Sequence, residues 1–201
     1  MVDKGFDWKK DLITDLEGSL AFFSNKEKLN REKWVVNRLL SALQIDFKQE
    51  EINGSEEPAD VSFREANFQV KEVLDEGRRR TDEYKAKLEK VKTAKSYSDL
   101  LEHYSPEDIS FSEVVAHCLS YVENLESNCK YGKREQKKLD LLVCFNWHNY
   151  HIVKPTEIQS KILGFRSLSV VSNRYCAVVY ANESAPLFLK VNIGKVGEYI
   201  G

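Results

Sequence analysis

PADVSFREANFQVKEVLDEGRRR, residues 58–80, is the stretch whose reading decides the fold. Apolar and polar residues alternate on both sides of a short charged break, the period-two pattern of strands that bury one face. The alternation predicts two strands, Asp60–Phe63 and Phe68–Leu74, joined as a hairpin by Arg64-Glu65-Ala66-Asn67. With that connection Phe63 faces Phe68. Counting outward sets Ser62 against Gln69, Val61 against Val70 and Asp60 against Lys71. Asp60, Ser62, Gln69 and Lys71 then share one face, and Val61, Phe63, Phe68 and Val70 share the other, which belongs in a core. A slip of one residue would exchange the two faces, so the register is testable.

Upstream, Trp8, Leu12, Leu16, Leu20 and Phe23 recur at helical spacing and predict a helix over 6–23. A second helix is expected from about Lys26 to Leu43, with Val35, Val36, Leu39, Leu40 and Leu43 as its apolar stripe and Ser24 or Asn25 as cap. Phe47 to Ile52 reads as a short strand. Downstream, Arg78 to about Lys95 is a charged helix. Further helices are expected over 97–104 and 106–129, the latter opening at Ser105-Pro106. Leu139–Phe145 has the continuous apolar character of a buried central strand. Leu168–Val171 and Tyr175–Ala181 form a hairpin about Ser172-Asn173, and Pro186–Ile193 is a short amphipathic segment. This order predicts a mixed α/β fold. No repeat or Gly/Pro/Ser-rich linker divides the chain. One domain over 1–201 is expected, its core at about 26–145 with the C-terminal hairpin and helix as additions.

The formal net charge of -2 carries no global nucleic-acid signature, so a surface for polyanions must be local. The first residues are acidic where a signal peptide would be basic and then apolar. No uninterrupted apolar run reaches the ~18 residues of a membrane span. A cytoplasmic protein without membrane contact is therefore expected. The four cysteines lack Cys-x-x-Cys spacing and fall in apolar periodic segments, which reads as buried thiols. No glycine-rich phosphate loop, Gly-x-Ser-x-Gly elbow or dinucleotide fingerprint occurs. His148 and His151 have a spacing that could touch metal or phosphate, or are ordinary loop histidines. The run Lys133–Lys138 extends a contact surface or is a solvated loop.

A carboxylate, an amide and an ammonium on one strand face suit metal-assisted phosphodiester hydrolysis. Asp60 is a hard oxygen donor for a divalent cation, Gln69 offers a neutral carbonyl, and Lys71 orients water and steadies negative charge. The plainer alternative is a solvated strand face with an exposed Asp60–Lys71 ion pair. Two features bear on the choice. Glu32 projects from the apolar stripe of the second helix rather than from its wet face. From Arg78 to Lys95 there are eight Lys/Arg against three acids, whereas the 77 residues before carry 11 against 17. Arg78, Arg79, Arg80 and Lys85 are thus candidate phosphate contacts, or parts of a solvated helix or of a surface for an acidic partner.

Glu32, then Pro58-Ala59-Asp60, then Gln69-Val70-Lys71 and a basic helix resemble the PD-(D/E)xK superfamily of restriction-endonuclease-like nucleases. More closely, REKWVVNRLL, EEPADVSFREANFQVKEVLDEGRRR and GFRSLSVV resemble an uncharacterised bacterial family described as "putative endonuclease", over most of the chain. The resemblance implies a restriction-endonuclease-like mixed sheet with an α-β-β-β-α-β core flanked by helices. It also implies Mg²⁺ or Mn²⁺ as cofactor, DNA as substrate and, by analogy, a homodimer. Position by position, Asp60 would be the metal aspartate, Gln69 the acid position, Lys71 the catalytic lysine and Glu32 the helix glutamate. Gln69 departs from the pattern, because an amide removes one negative charge from the metal site. The resemblance therefore implies either a metal-dependent nuclease or a catalytically degenerate relative that binds nucleic acid or a protein partner without cleavage.

Overall fold

The computed structural model describes residues 7–75, 77–128, 131–155 and 157–199. In chain order the elements are α1 (Trp8–Phe22), α2 (Lys28–Ala42), β1 (Ile52–Gly54), β2 (Val61–Phe63), β3 (Ala66–Leu74), α3 (Arg80–Thr93), β4 (Glu107–Ser110), α4 (Phe111–Ser127), α5 (Lys133–Gln136), β5 (Asp140–Asn146), β6 (Tyr150–Val153), β7 (Ser167–Val171), β8 (Tyr175–Ala181), α6 (Leu187–Lys190) and β9 (Val196–Glu198). The chain divides into two compact units. One comprises Met1–Arg31 with Glu76–Ser105; the other comprises Glu32–Asp75 with Pro106–Gly201.

In the larger unit, seven strands among the described residues form a mixed sheet in the order β1-β2-β3-β5-β7-β8-β9. The first three make an antiparallel meander, β3, β5 and β7 run parallel, and β7, β8 and β9 are antiparallel again. Parallel strands are stable when both faces are covered, and β5 and β7 show why this sheet qualifies: every residue from Asp140 to Phe145 and from Ser167 to Val171 is buried. One face carries the α2 stripe of Val35, Val36, Leu39 and Leu40 against Phe63, Phe68 and Leu142. The other carries Phe111, Val114, Cys118 and Val122 of α4 against Leu141, Val143, Phe145 and Leu168. A separate pair, β4 with β6, is parallel. Cys118, Cys144 and Cys176 are buried and outside any disulfide, as their apolar surroundings predict; Cys129 lies outside the described residues. Among the described residues no helix is long and apolar enough to cross a membrane.

The smaller unit pairs α1 with α3. Trp8 meets Tyr97 edge to face, and Phe23 stacks on Tyr84 with centroids 5.4 Å apart. Asp7 caps α1 by accepting the Lys10 N–H.

Four expectations are corrected. Phe47–Ile52 is no strand: Gln49–Glu51 is a 3₁₀ turn, and pairing begins at Ile52. Residues 107–110 are β4, so the following helix starts at Phe111. Ser110 caps it by accepting the Glu113 N–H while the Glu113 carboxylate accepts the Ser110 N–H at 2.8 Å. Only Tyr97–Leu100 of the helix expected over 97–104 is helical, as a 3₁₀ turn. Finally, the hairpin is tighter than its sequence suggests. Ala66 and Asn67 belong to β3, the connection is Arg64-Glu65, and Phe63 pairs with Ala66 instead of Phe68. Arg64 adopts the left-handed conformation, φ +49°. Its guanidinium is held by Glu51 at 3.0 Å and by the Asp46 carbonyl at 2.7 Å.

Candidate functional site

The tighter turn moves the register by two residues, an even number, so the facing of every side chain survives while the partners change. Val61 pairs with Phe68, which sets Asp60 beside Gln69 instead of Lys71. The backbone confirms it: the Asp60 N–H donates to the Phe68 carbonyl at 2.8 Å. The Asp60 carboxylate reaches across and accepts the Val70 N–H at 2.9 Å, and the Gln69 side-chain amide donates to the same oxygen, Oδ2. A carboxylate cannot donate, so the NH₂ end of Gln69 is the end that faces it.

Gln69, Lys71 and Val73 lie beside Leu141, Val143 and Phe145 of β5, so they share the sheet face that α4 covers. Gln69 is only 5% exposed. This is not the wet strand face of the plainer reading: an amide that deep must be hydrogen-bonded, and Asp60 supplies the partner. Lys71, half-buried, carries its ammonium 5.7 Å from the centroid of the Tyr131 ring, a cation–π contact. Tyr131 in turn forms a wall of a cleft of about 380 Å³, whose lining includes Gln136, Lys133, Lys137, Glu126 and Gly164. The Lys133–Lys138 run thus contributes two ammonium groups to a concavity.

Glu32 is buried on α2, 9% exposed, on the helix whose stripe packs against the opposite face of the sheet. Arg78, Arg79, Arg80 and Lys85 belong to the smaller unit. There Arg78 donates to Glu83 at 2.8 Å, and the Arg80 guanidinium lies 4.4 Å over the Phe23 ring. Burial by itself would raise the Glu83 carboxyl, but hydrogen bonds from Lys87 and Arg78 outweigh it and hold the group down at about 2. Lys87, Lys90 and Lys92 also sit in ion pairs, with Glu83, Glu102 and Glu89. Arg79 and Lys85 are exposed on this helix and its lead-in. The His151 Nδ1–H donates to the Asp108 carboxylate across β4 and β6 at 2.9 Å, while the His148 N–H donates to Asp75.

A divalent cation is implied by the resemblance, and the donor chemistry can be tested against these contacts. Among the described residues no group of three His, Cys, Asp or Glu could hold a metal ion. Asp60 and Gln69 are in direct contact, and turning the Gln69 amide over would place a carbonyl oxygen beside the carboxylate. With the amide so turned, one carboxylate and one amide oxygen would suit Mg²⁺ or Mn²⁺ in the manner of sites that draw their other ligands from water and substrate phosphate.

The sequence reading passed over Asp140, the one charged residue inside an apolar run. Fully buried at the start of β5, it accepts the Asn67 N–H at 2.9 Å, the Ser167 hydroxyl at 2.8 Å and both Nε and a terminal nitrogen of Arg166. Arg166 also donates to the Glu65 carbonyl at 2.9 Å. This ion pair ties the β2–β3 turn to the two central strands and so holds the hairpin that presents Asp60 and Gln69. Tyr131 was missed too, and Gln136 entered only as part of the Lys133–Lys138 run. Nothing in their local sequence separates them from ordinary loop and helix residues.

Over residues 6–200 the sequence matches a family described as "Putative endonuclease, protein of unknown function (DUF1780)". No curated protein matches it. The fold is similar to that of a solved protein of unknown function from Pseudomonas aeruginosa strain PAO1, described as belonging to the monooxygenase superfamily. That similarity has a TM-score of 0.62 and 26% identity, over 98% of this chain and 97% of the other.

Proposed function

The chain belongs to the family just described, and on that premise we propose that it is a metal-dependent endonuclease of the restriction-endonuclease-like kind, cleaving DNA at the face formed by Asp60, Gln69 and Lys71. The observation that carries the reading is the contact of Asp60 with Gln69 on adjoining strands, with Lys71 two residues further along the same face. With α3, β4 and α5 as insertions, the succession α2, β1, β2, β3, α4, β5, with β3 and β5 parallel, supports the same scaffold. Asp60 and Gln69 would hold Mg²⁺ or Mn²⁺, whose contribution is Lewis-acid stabilisation of charge developing on the phosphate. The Lys71 ammonium lies over the Tyr131 ring and, in this reading, would pair with a phosphate oxygen or orient an attacking water. Arg79 and Lys85 are the exposed candidates for phosphate contacts in the smaller unit, with Arg78 and Arg80 engaged by Glu83 and Phe23.

The test is cleavage of plasmid and single-stranded DNA by the wild-type protein in Mg²⁺ or Mn²⁺, beside Asp60→Ala and Lys71→Ala. Cleavage that falls at least tenfold in both variants is expected. Cleavage equal in all three would place the activity elsewhere.

A second reading has its own observation. The Gln69 amide already occupies the Asp60 oxygen that a cation would need. If it stays there, the protein is a nucleic-acid binder on a nuclease scaffold, and DNA binding would survive in the absence of any cleavage. The monooxygenase name of the solved relative points to redox chemistry, for which the carboxylate, amide and ammonium of this face offer no special support.

A further inference from the structure

We propose that the cleft beside Lys71 is a nucleotide subsite that takes an adenine base against Tyr131 and Gln136 and a phosphate against Lys133 and Lys137. The inference rests on the reading that the chain acts on nucleic acid, and it names the part of the substrate that the Asp60–Lys71 face does not itself recognise.

The floor of the cleft is Gln136, only 6% exposed. Its amide nitrogen donates once, to the Tyr131 carbonyl at 3.1 Å. A carboxamide has two N–H donors and an acceptor oxygen, so one N–H and the carbonyl are left over from that bond. An amide that pairs a donor with an acceptor in one plane matches the N6 and N7 edge of adenine, the pairing by which Gln and Asn read that base in duplexes. Tyr131, 8% exposed and set edge to face with Phe165, lines the same cleft and gives it an apolar border. The volume, about 380 Å³, lies in the range of ligand clefts. Lys133 and Lys137 are exposed and bring two ammonium groups to the same cleft.

Two further residues shape it. Glu126 is committed to the chain, accepting the Gly164 N–H at 2.7 Å, so its charge is partly satisfied. A Cβ at Gly164 would come within 2.6 Å of Gln136 Oε1 and 3.2 Å of Glu126 Oε1, so the ends of those two side chains would have to shift. The glycine therefore keeps the acceptor of the floor accessible. Tyr131 also carries the Lys71 ammonium on its ring, so one residue joins the base subsite to the candidate catalytic face. A nucleotide in the cleft would thus bring its backbone toward that face.

The test is calorimetric titration of the intact protein with AMP, UMP, ribose 5-phosphate and a short single-stranded oligoadenylate. Wild type is expected to bind AMP at least tenfold more tightly than ribose 5-phosphate and more tightly than UMP. Gly164→Ala and, with folding protected by its exposed positions, Lys133→Ala/Lys137→Ala should each weaken AMP by tenfold or more. Asp60→Ala should leave it unchanged. The same losses seen only with the oligonucleotide would assign the subsite to a strand instead of a free nucleotide, and would equally support it. AMP no better than ribose 5-phosphate, or binding that ignores both cleft variants, would overturn the proposal. Its failure is separable from failure of the nuclease reading: DNA cleavage sensitive to Asp60→Ala but no base binding removes the subsite alone. Base binding without cleavage removes the cleavage alone.

Discussion

At the scale of single residues, the decisive contacts are those of Asp60 and Asp140. Both aspartates accept hydrogen bonds from the β3 backbone, Asp60 from Val70 and Asp140 from Asn67, yet their environments differ. Asp140 is fully buried and joined to the guanidinium of Arg166, whose side chain is 13% exposed. Removing one partner of such a pair leaves the other charged and unpaired away from water, which costs about 3–5 kcal/mol. Asp140→Asn is therefore expected to lose about that much stability in urea unfolding, and Asp140→Leu combined with Arg166→Met to lose less. Equal losses in the two variants would contradict the role given to the ion pair. Asp60 is only half-buried, and the role proposed for it is chemical before it is structural. The placement of this residue on one strand face with Gln69 and Lys71 was legible in the sequence. Its partner was not, because Arg64-Glu65 has none of the Gly or Asn signals of a two-residue turn. Glu51 and the Asp46 carbonyl, 13 and 18 residues upstream, hold the left-handed Arg64 instead.

Among the elements, those with strong periodicity were readable and those set by pairing were not. The α2 stripe, the buried β5 and the β7–β8 hairpin announce themselves in the spacing and density of apolar residues. The strands β6 and β9 are 4 and 3 residues long, too short to show a period, and they exist because β4 and β8 offer them edges. The start of α4 was legible but misplaced: Ser105-Pro106 resembles a helix opening, yet Ser110 with Glu113 forms the reciprocal cap. For α3, the acid at its first turn gives a pH signature. The Glu83 carboxyl, held at about 2 against an ordinary 4.5, contributes stability that is complete above pH 4.5 and is lost as the pH falls toward 2. Thermal unfolding of the wild type should therefore weaken across that window more steeply than in Glu83→Gln. Parallel pH profiles would show that the Arg78 and Lys87 contacts carry no net stability.

At the scale of the whole molecule, a net charge of -2 means that nothing steers a polyanion to this protein from a distance. Most of the lysines that made the 78–95 segment look basic are spent on local acids, a feature invisible to a charge count. DNA affinity should consequently fall with salt only modestly, and Arg79→Ala/Lys85→Ala should flatten the dependence further. A steep slope untouched by that double substitution would place the phosphate contacts elsewhere. Family membership spans residues 6–200, so both compact units belong to whatever the family does. The central claim is that Asp60 and Gln69 form an oxygen site for a divalent cation, and Mn²⁺ titration followed by paramagnetic resonance tests it most directly. Wild type should bind weakly, Gln69→Glu at least tenfold more tightly, and Asp60→Ala not measurably. Identical Mn²⁺ binding by all three proteins would contradict the account.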